Sequence, residues 1–130
     1  MPTLQTSSEM LAALDTFTRA YIAAALWSST DDEGNPLDDN YGPEDLAPVT
    51  LATMIEDCAA FQRDCAMNLE ASGLSSEQAG HDFWLTRNHH GAGYWDRGLQ
   101  ADVGRSLTDD AHTWGSFDLY IGDDGQIYGN

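Results

Sequence analysis

Apolar residues recur at three- and four-residue steps between Ser8 and Ser28. Leu11, Leu14, Phe17, Tyr21, Ala24 and Ala25 form one stripe, and Ile22, Leu26 and Trp27 widen it. The spacing predicts a helix, capped by Ser7 or Ser8 with Glu9 in its first turn. A helix this apolar belongs at the centre of a core. Leu51, Met54, Ile55, Cys58, Phe61, Cys65 and Leu69 predict a second helix from about Thr50 to Ser72, with Gly73 as the left-handed residue that ends it. Ser75 or Ser76 opens a third over SSEQAGHDFWLTRNH. The segment LQADVGRSLTDDAHTW predicts a fourth, closed by Gly115. Gly104 is a weak point inside it, costing ~1 kcal/mol relative to alanine.

The period changes toward the C-terminus. Phe117, Leu119 and Ile121 alternate with Asp118 and Tyr120, and Gln126-Ile127-Tyr128 follows the turn residues Gly122-Asp123-Asp124-Gly125. That is a β-hairpin pattern. A further short strand is expected near Tyr94 to Arg97. The fold class is therefore α+β: three or four helices packed on a small antiparallel sheet with a C-terminal β-hairpin. Leu14, Phe17, Tyr21, Ile55, Phe61, Trp84 and Leu107 are expected in the core.

Residues 28–48 break the helical pattern. They hold three of the four prolines, two glycines and seven acids, and read as a long acidic loop within a single domain spanning 1–130. Loops longer than ~12–15 residues are uncommon unless they are functional or disordered. The oxygen spacing of a calcium-binding EF-hand is not met there.

Charge narrows the function. The chain has 22 Asp+Glu against 5 Lys+Arg, every cation is arginine, and the formal net charge is −17. Such a surface cannot track a phosphate backbone and is repelled by anionic membranes. With 42% hydrophobic residues, four Trp, five Tyr and four Phe, the chain can still build a core and is not an acidic disordered tail. No apolar run approaches the ~18 residues of a membrane span. MPTLQTSSEM lacks the basic and apolar regions of a secretory signal, so a cytoplasmic location is expected. Cys58 and Cys65 lie on one helix face two turns apart, ~10 Å, beyond the roughly 7 Å a disulfide tolerates. They read as two buried free thiols, as in a reducing compartment. Neighbouring acids disfavour a nucleophilic thiolate there, and no serine-hydrolase elbow, P-loop or dinucleotide fingerprint occurs.

Residues 81–97, HDFWLTRNHHGAGYWDR, concentrate three of the four histidines, two of the four tryptophans and two of the five arginines. His81, His89 and His90, with Asp82 and Asp96, are the candidate ligands of a metal-dependent protein or enzyme, His81 and His89 sharing a face if the helix persists. No HExxH or Cys–His ligand set accompanies them, and no cofactor is expected. The alternative is a structural knot of Trp84, Arg87, Trp95 and Arg97. In it an arginine pairs with Asp82 or Asp96 and lies against Trp84 or Trp95, while Gly91 and Gly93 allow a tight turn.

This segment, read as HDFWLTRN-x-HGAG-aromatic-WDR, and more weakly the GDDGQIY ending, resembles small uncharacterised acidic proteins encoded by bacteriophages and prophages. The resemblance is specific over about Gly80 to Gly98 and does not reach the first seventy-odd residues. It implies a viral setting, in the cytoplasm of an infected or lysogenic cell, and carries no mechanism.

Three readings of the chain follow. In the first, its carboxylates imitate nucleic-acid phosphates and fill the basic groove of a host DNA- or RNA-handling protein, as inhibitors of the anti-CRISPR or anti-restriction class do by analogy. Asp outnumbers Glu 16 to 6, and doublets are frequent. The expected partner-binding residues are Asp31, Asp32, Asp38, Asp39, Asp109 and Asp110. In the second, the acidity is adaptation to a saline cytoplasm. A mimic clusters its charge and a halophile spreads it. The third is the metal-dependent protein centred on the histidines.

Overall fold

Asp15 divides the expected N-terminal helix in two. The structure is a computed structural model, and it describes residues 6–90 and 93–130. In it α1 (Ser7–Ala12) is capped by Thr6, and α2 (Thr16–Ser28) starts afresh because the Asp15 side chain accepts the Thr18 N–H at 2.8 Å. An aspartate that takes up the first free N–H of a turn favours a helix start over a helix interior. The second expected helix is likewise interrupted, at Cys65, giving α3 (Pro48–Asp64) and α4 (Ala66–Ser72). Gly73 ends α4 at φ 71°, as its position predicts. Ser75 caps α5 (Ser76–Arg87), and α6 (Ala101–Thr113) is followed by Gly115 at φ 73°. The described residues thus form six α-helices, more than the three or four expected, because two long apolar stripes each contain a break.

The sheet is the C-terminal hairpin. Strands β1 (Leu119–Ile121) and β2 (Ile127–Gly129) pair antiparallel, with Leu119 opposite Gly129 and Ile121 opposite Ile127. Two backbone hydrogen bonds between Asp118 and Asn130 extend the ladder by one pair. The strand expected at Tyr94 to Arg97 is instead a 3₁₀ turn over Tyr94–Asp96. The reason lies in the partners. The Tyr94 N–H donates to Thr86 Oγ1 at 3.3 Å rather than to a neighbouring strand, and its hydroxyl reaches into the core to the Ala79 carbonyl at 2.7 Å. A buried Tyr94 beside an exposed Trp95 imitates strand alternation without being one.

The most extensive packing joins α2 to α5. Gly80 makes it possible, because a Cβ there would overlap the Phe17 carbonyl oxygen. Around this crossing lies an aromatic core. Phe61 stacks on Phe83 with ring centroids 4.0 Å apart, and Tyr21 meets Trp84 edge-on at 5.3 Å. Phe17, Tyr21, Phe61, Trp84 and Leu107 are buried as expected, whereas Leu14 and Ile55 are half-buried at the core's edge. Among the described residues, no helix is long and apolar enough to cross a membrane.

Residues 28–48 contain two 3₁₀ turns, Leu37–Asp39 and Pro43–Asp45, and three buried anchors, Leu37, Leu46 and Ala47. A bridge pairs Thr30 with Pro36, and another ties Leu46 to Ile127 of β2. The segment is irregular in form yet attached along its length. Leu37, Leu46 and Ala47 enter the core, while Asp32, Glu33, Asp38, Asp39 and Glu44 are exposed.

Candidate partner-binding surface and its buried support

The attached backbone sets where the expected binding acids stand. Asp32, Asp38 and Asp39 are exposed on either side of the buried Leu37. The Leu37 N–H donates to the Ser29 carbonyl at 2.9 Å, which ties this stretch to the end of α2. Asp31 is half-buried and builds the loop. Its Oδ1 accepts the backbone N–H groups of Glu33 at 2.9 Å and Asn35 at 3.0 Å. Asp45 plays a similar part, its Oδ2 accepting the Gly42 N–H at 2.8 Å.

The hairpin adjoins this segment through the Ala47 N–H, which donates to the Ile127 carbonyl at 2.9 Å. It brings Asp118, Asp123 and Asp124, all exposed. Asp124 is fixed by the Tyr128 hydroxyl at 2.6 Å and the Gln126 N–H at 3.0 Å, and these bonds hold its carboxyl below the usual carboxylate range.

The second expected doublet lies on α6, whose principal neighbours are α4, α5 and the Tyr94–Asp96 turn. Asp109 is exposed there, and Asp110 is half-buried, accepting from the Cys65 thiol at 3.4 Å. Two of the six expected partner-binding acids, Asp31 and Asp110, therefore have carboxylate oxygens engaged in holding the chain together.

Beneath the surface two arginines organise the interior. Arg97 donates to both oxygens of the fully buried Asp82, at 2.9 and 2.8 Å, and Gln78 adds a third bond to the same carboxylate at 2.9 Å. That is one of the arginine–aspartate pairings expected for the knot. Arg87 departs from expectation. Its carboxylate partner is Asp57 of α3, at 3.0 Å, and its guanidinium lies over the Phe83 and Phe117 rings at 5.6 Å each rather than over a tryptophan. Asp82 precedes Arg87 by five residues on one helix, which turns the two side chains about 140° apart.

Arg87 also donates to the Tyr21 hydroxyl at 2.9 Å and to the carbonyls of Gly115 at 2.8 Å and Trp114 at 3.1 Å. One side chain so joins α2, α3, α5 and the end of α6. Asp57 was recognisable in principle, because it follows Met54 and precedes Phe61 on the buried face of α3 at helical spacing, where an acid requires a cation.

The remaining knot residues divide. Trp84 is buried, its indole N–H on Ser28 Oγ at 2.7 Å, while Trp95 is exposed. Gly93 permits close approach there, since a Cβ would come within 2.9 Å of the Trp95 ring. Gly91, the other expected turn glycine, lies outside the described residues, and so does the Asp96 side chain.

The histidines do not converge. Helix α5 ends at Arg87, so His81 and His89 do not share a helix face. His81 lies beside Trp27, ring centroids 6.1 Å apart, with Nδ1 3.6 Å from Asp82. His89 takes φ 57° and stacks on His112 at 4.2 Å, while His90 borders a hollow with Trp84 and Asp118. Among the described residues, no three His, Cys, Asp or Glu side chains are grouped to hold a metal ion.

Both cysteines are buried free thiols. Burial, then the bond to Asp110, pushes Cys65 up to about 12, and burial raises Cys58 further. Neither is a thiolate nucleophile near neutral pH. Compared with protein-family models, with curated proteins and with solved structures, the chain matches none.

Proposed function

We propose that this protein is an acidic, phage-type binding protein that occupies the nucleic-acid groove of a basic host DNA- or RNA-handling protein and inhibits it, in the manner of anti-CRISPR or anti-restriction inhibitors. The observation that carries the reading is the exposed Asp32, Asp38 and Asp39 on a backbone pinned by buried Leu37. Carboxylates held in place before binding lose less freedom on association, and a field of −17 accelerates encounter with a cationic groove. The partner class is the one that phosphate mimicry implies. Neither nucleic acid nor an anionic membrane is a partner for this surface.

The test is capture of host proteins on the immobilised chain, elution with a salt gradient, and competition of each captured protein with duplex DNA. A nuclease or regulator displaced by DNA supports the reading. Reversing Asp32, Asp38 and Asp39 to lysine is expected to slow its association and flatten the salt dependence. Captured proteins indifferent to DNA and to that reversal overturn it.

A second reading is favoured by the breadth of the acidity. Exposed acids stand on α1 (Glu9), α3 (Glu56, Asp64), α4 (Glu70), α5 (Glu77), α6 (Asp102, Asp109) and the hairpin as well as on residues 28–48. Acids carried by most elements of the fold are what a saline solvent selects, and they name no partner. The absence of a DNA-competing partner together with folding only at high salt would establish it.

A further inference from the structure

The break between α1 and α2 opens a hollow of about 320 Å³, lined by Leu11, Leu14, Arg19, Ile22, Ala23 and Pro43. Among the described residues Arg19 is the one cation lining it, and its situation differs from that of the other arginines. Arg63, Arg87, Arg97 and Arg105 each lie within 4.0 Å of an aspartate. Among the described residues Arg19 has no carboxylate within that reach, although the chain carries 22 acids. Its Nε donates to the Leu14 carbonyl at 3.2 Å. The helix break thus both shapes the hollow and supplies the acceptor that fixes the guanidinium beside it. Both Nη groups remain for a ligand, in the fork that matches a carboxylate.

We propose that this hollow binds a small apolar carboxylic acid, its chain against Leu11, Leu14 and Ile22 and its carboxylate on the Nη groups of Arg19. The volume is at the low end for ligand sites, which run from about 300 Å³, and so it suits a single short chain. The net charge of −17 repels anions at large. A bare inorganic anion is therefore not retained at one exposed arginine, whereas a ligand that also removes apolar surface from water is. The site makes no use of the carboxylates proposed to meet the partner, although its wall residue Pro43 belongs to the same segment 28–48.

Octanoate is the probe, with 1-octanol and acetate as controls, followed by backbone amide shifts and calorimetry on the full chain. Saturable octanoate binding with shifts centred on residues 11–23 is expected, at least tenfold tighter than either control. Arg19→Gln should weaken octanoate tenfold or more and leave octanol unchanged. Ala23→Trp, which fills the hollow and keeps Arg19, should abolish both. Octanoate bound equally by wild type and Arg19→Gln overturns the proposal, as does the lack of saturable binding by wild type.

Discussion

Arg97 grips Asp82 by both carboxylate oxygens, and Asp82 is wholly buried in α5. The pair is the chief reason an acid can sit inside this protein. Arg97→Ala would leave that carboxylate with Gln78 and without its countercharge, and breaking a buried pair costs about 3–5 kcal/mol. The double variant Arg97→Ala, Asp82→Ala should be less destabilised than the sum of the two single variants. Urea midpoints of the four proteins measure the coupling, and strict additivity would remove the knot.

Two helical glycines should respond in opposite directions. Gly80→Ala drives a methyl group into the Phe17 carbonyl at the α2–α5 crossing, and overpacking of that kind costs about 1–3 kcal/mol. Gly104 has room, since an added Cβ would meet Leu99 Cβ at 3.7 Å and the Tyr94 carbonyl oxygen at 4.0 Å, both ordinary contacts. Gly104→Ala should therefore stabilise α6 by about 0.4–1 kcal/mol. Thermal midpoints that move together would contradict the packing described.

Alkali should unfold the protein. Burial raises the pKa values of Cys58, Cys65, Tyr21 and Tyr94 in the folded chain, Cys65 to about 12. In the unfolded chain these groups ionise from their ordinary values of 9.0 and 10.0. Below pH 9 both states hold the protons and nothing is lost. Between the unfolded and folded values the unfolded chain releases protons that the native chain retains, so stability falls as pH rises. A midpoint that declines steadily from pH 9 upward, with tyrosinate absorbance at 295 nm rising in step with unfolding, is the expected record. Thiols that react with Ellman's reagent in the native protein at pH 8 would contradict the burial.

Salt should stabilise the chain. Seventeen net negative charges repel one another, and the Debye length shrinks from about 30 Å at 0.01 M to about 3 Å at 1 M. Added sodium chloride is expected to raise the thermal midpoint progressively over that range. The pairs of Arg87 and Arg97 are partly buried and should be weakened less by the same salt than exposed pairs. A flat response would mean the surface field is already neutralised.

Helix existence, the Gly73 and Gly115 stops, the Ser75 cap and the C-terminal hairpin were legible in the sequence, because each depends on residues close along the chain. Local periodicity also placed Phe17, Tyr21, Phe61, Trp84 and Leu107 inside. The Asp15 break was legible in principle, as an aspartate just ahead of a helical run. The apolar stripe from Leu11 to Tyr21 masked it, because the three- and four-residue spacing runs through Asp15 without interruption.

Tertiary structure alone decided the rest. Arg87 reaches Asp57, thirty residues away, and stacks on Phe117, a further thirty residues on, and neither choice has a local signature. The Tyr94 turn follows from a hydroxyl that finds the Ala79 carbonyl, and the order of residues 28–48 follows from Leu37, Leu46 and Ala47 entering a core built by distant helices. Charge was the reverse case. The sequence determined its amount completely, since counting acids needs no fold. Which carboxylates stand free, as Asp32, Asp38 and Asp39 do, and which are spent on the chain's own N–H groups, as Asp31 and Asp45 are, depended on where the backbone donors came to lie.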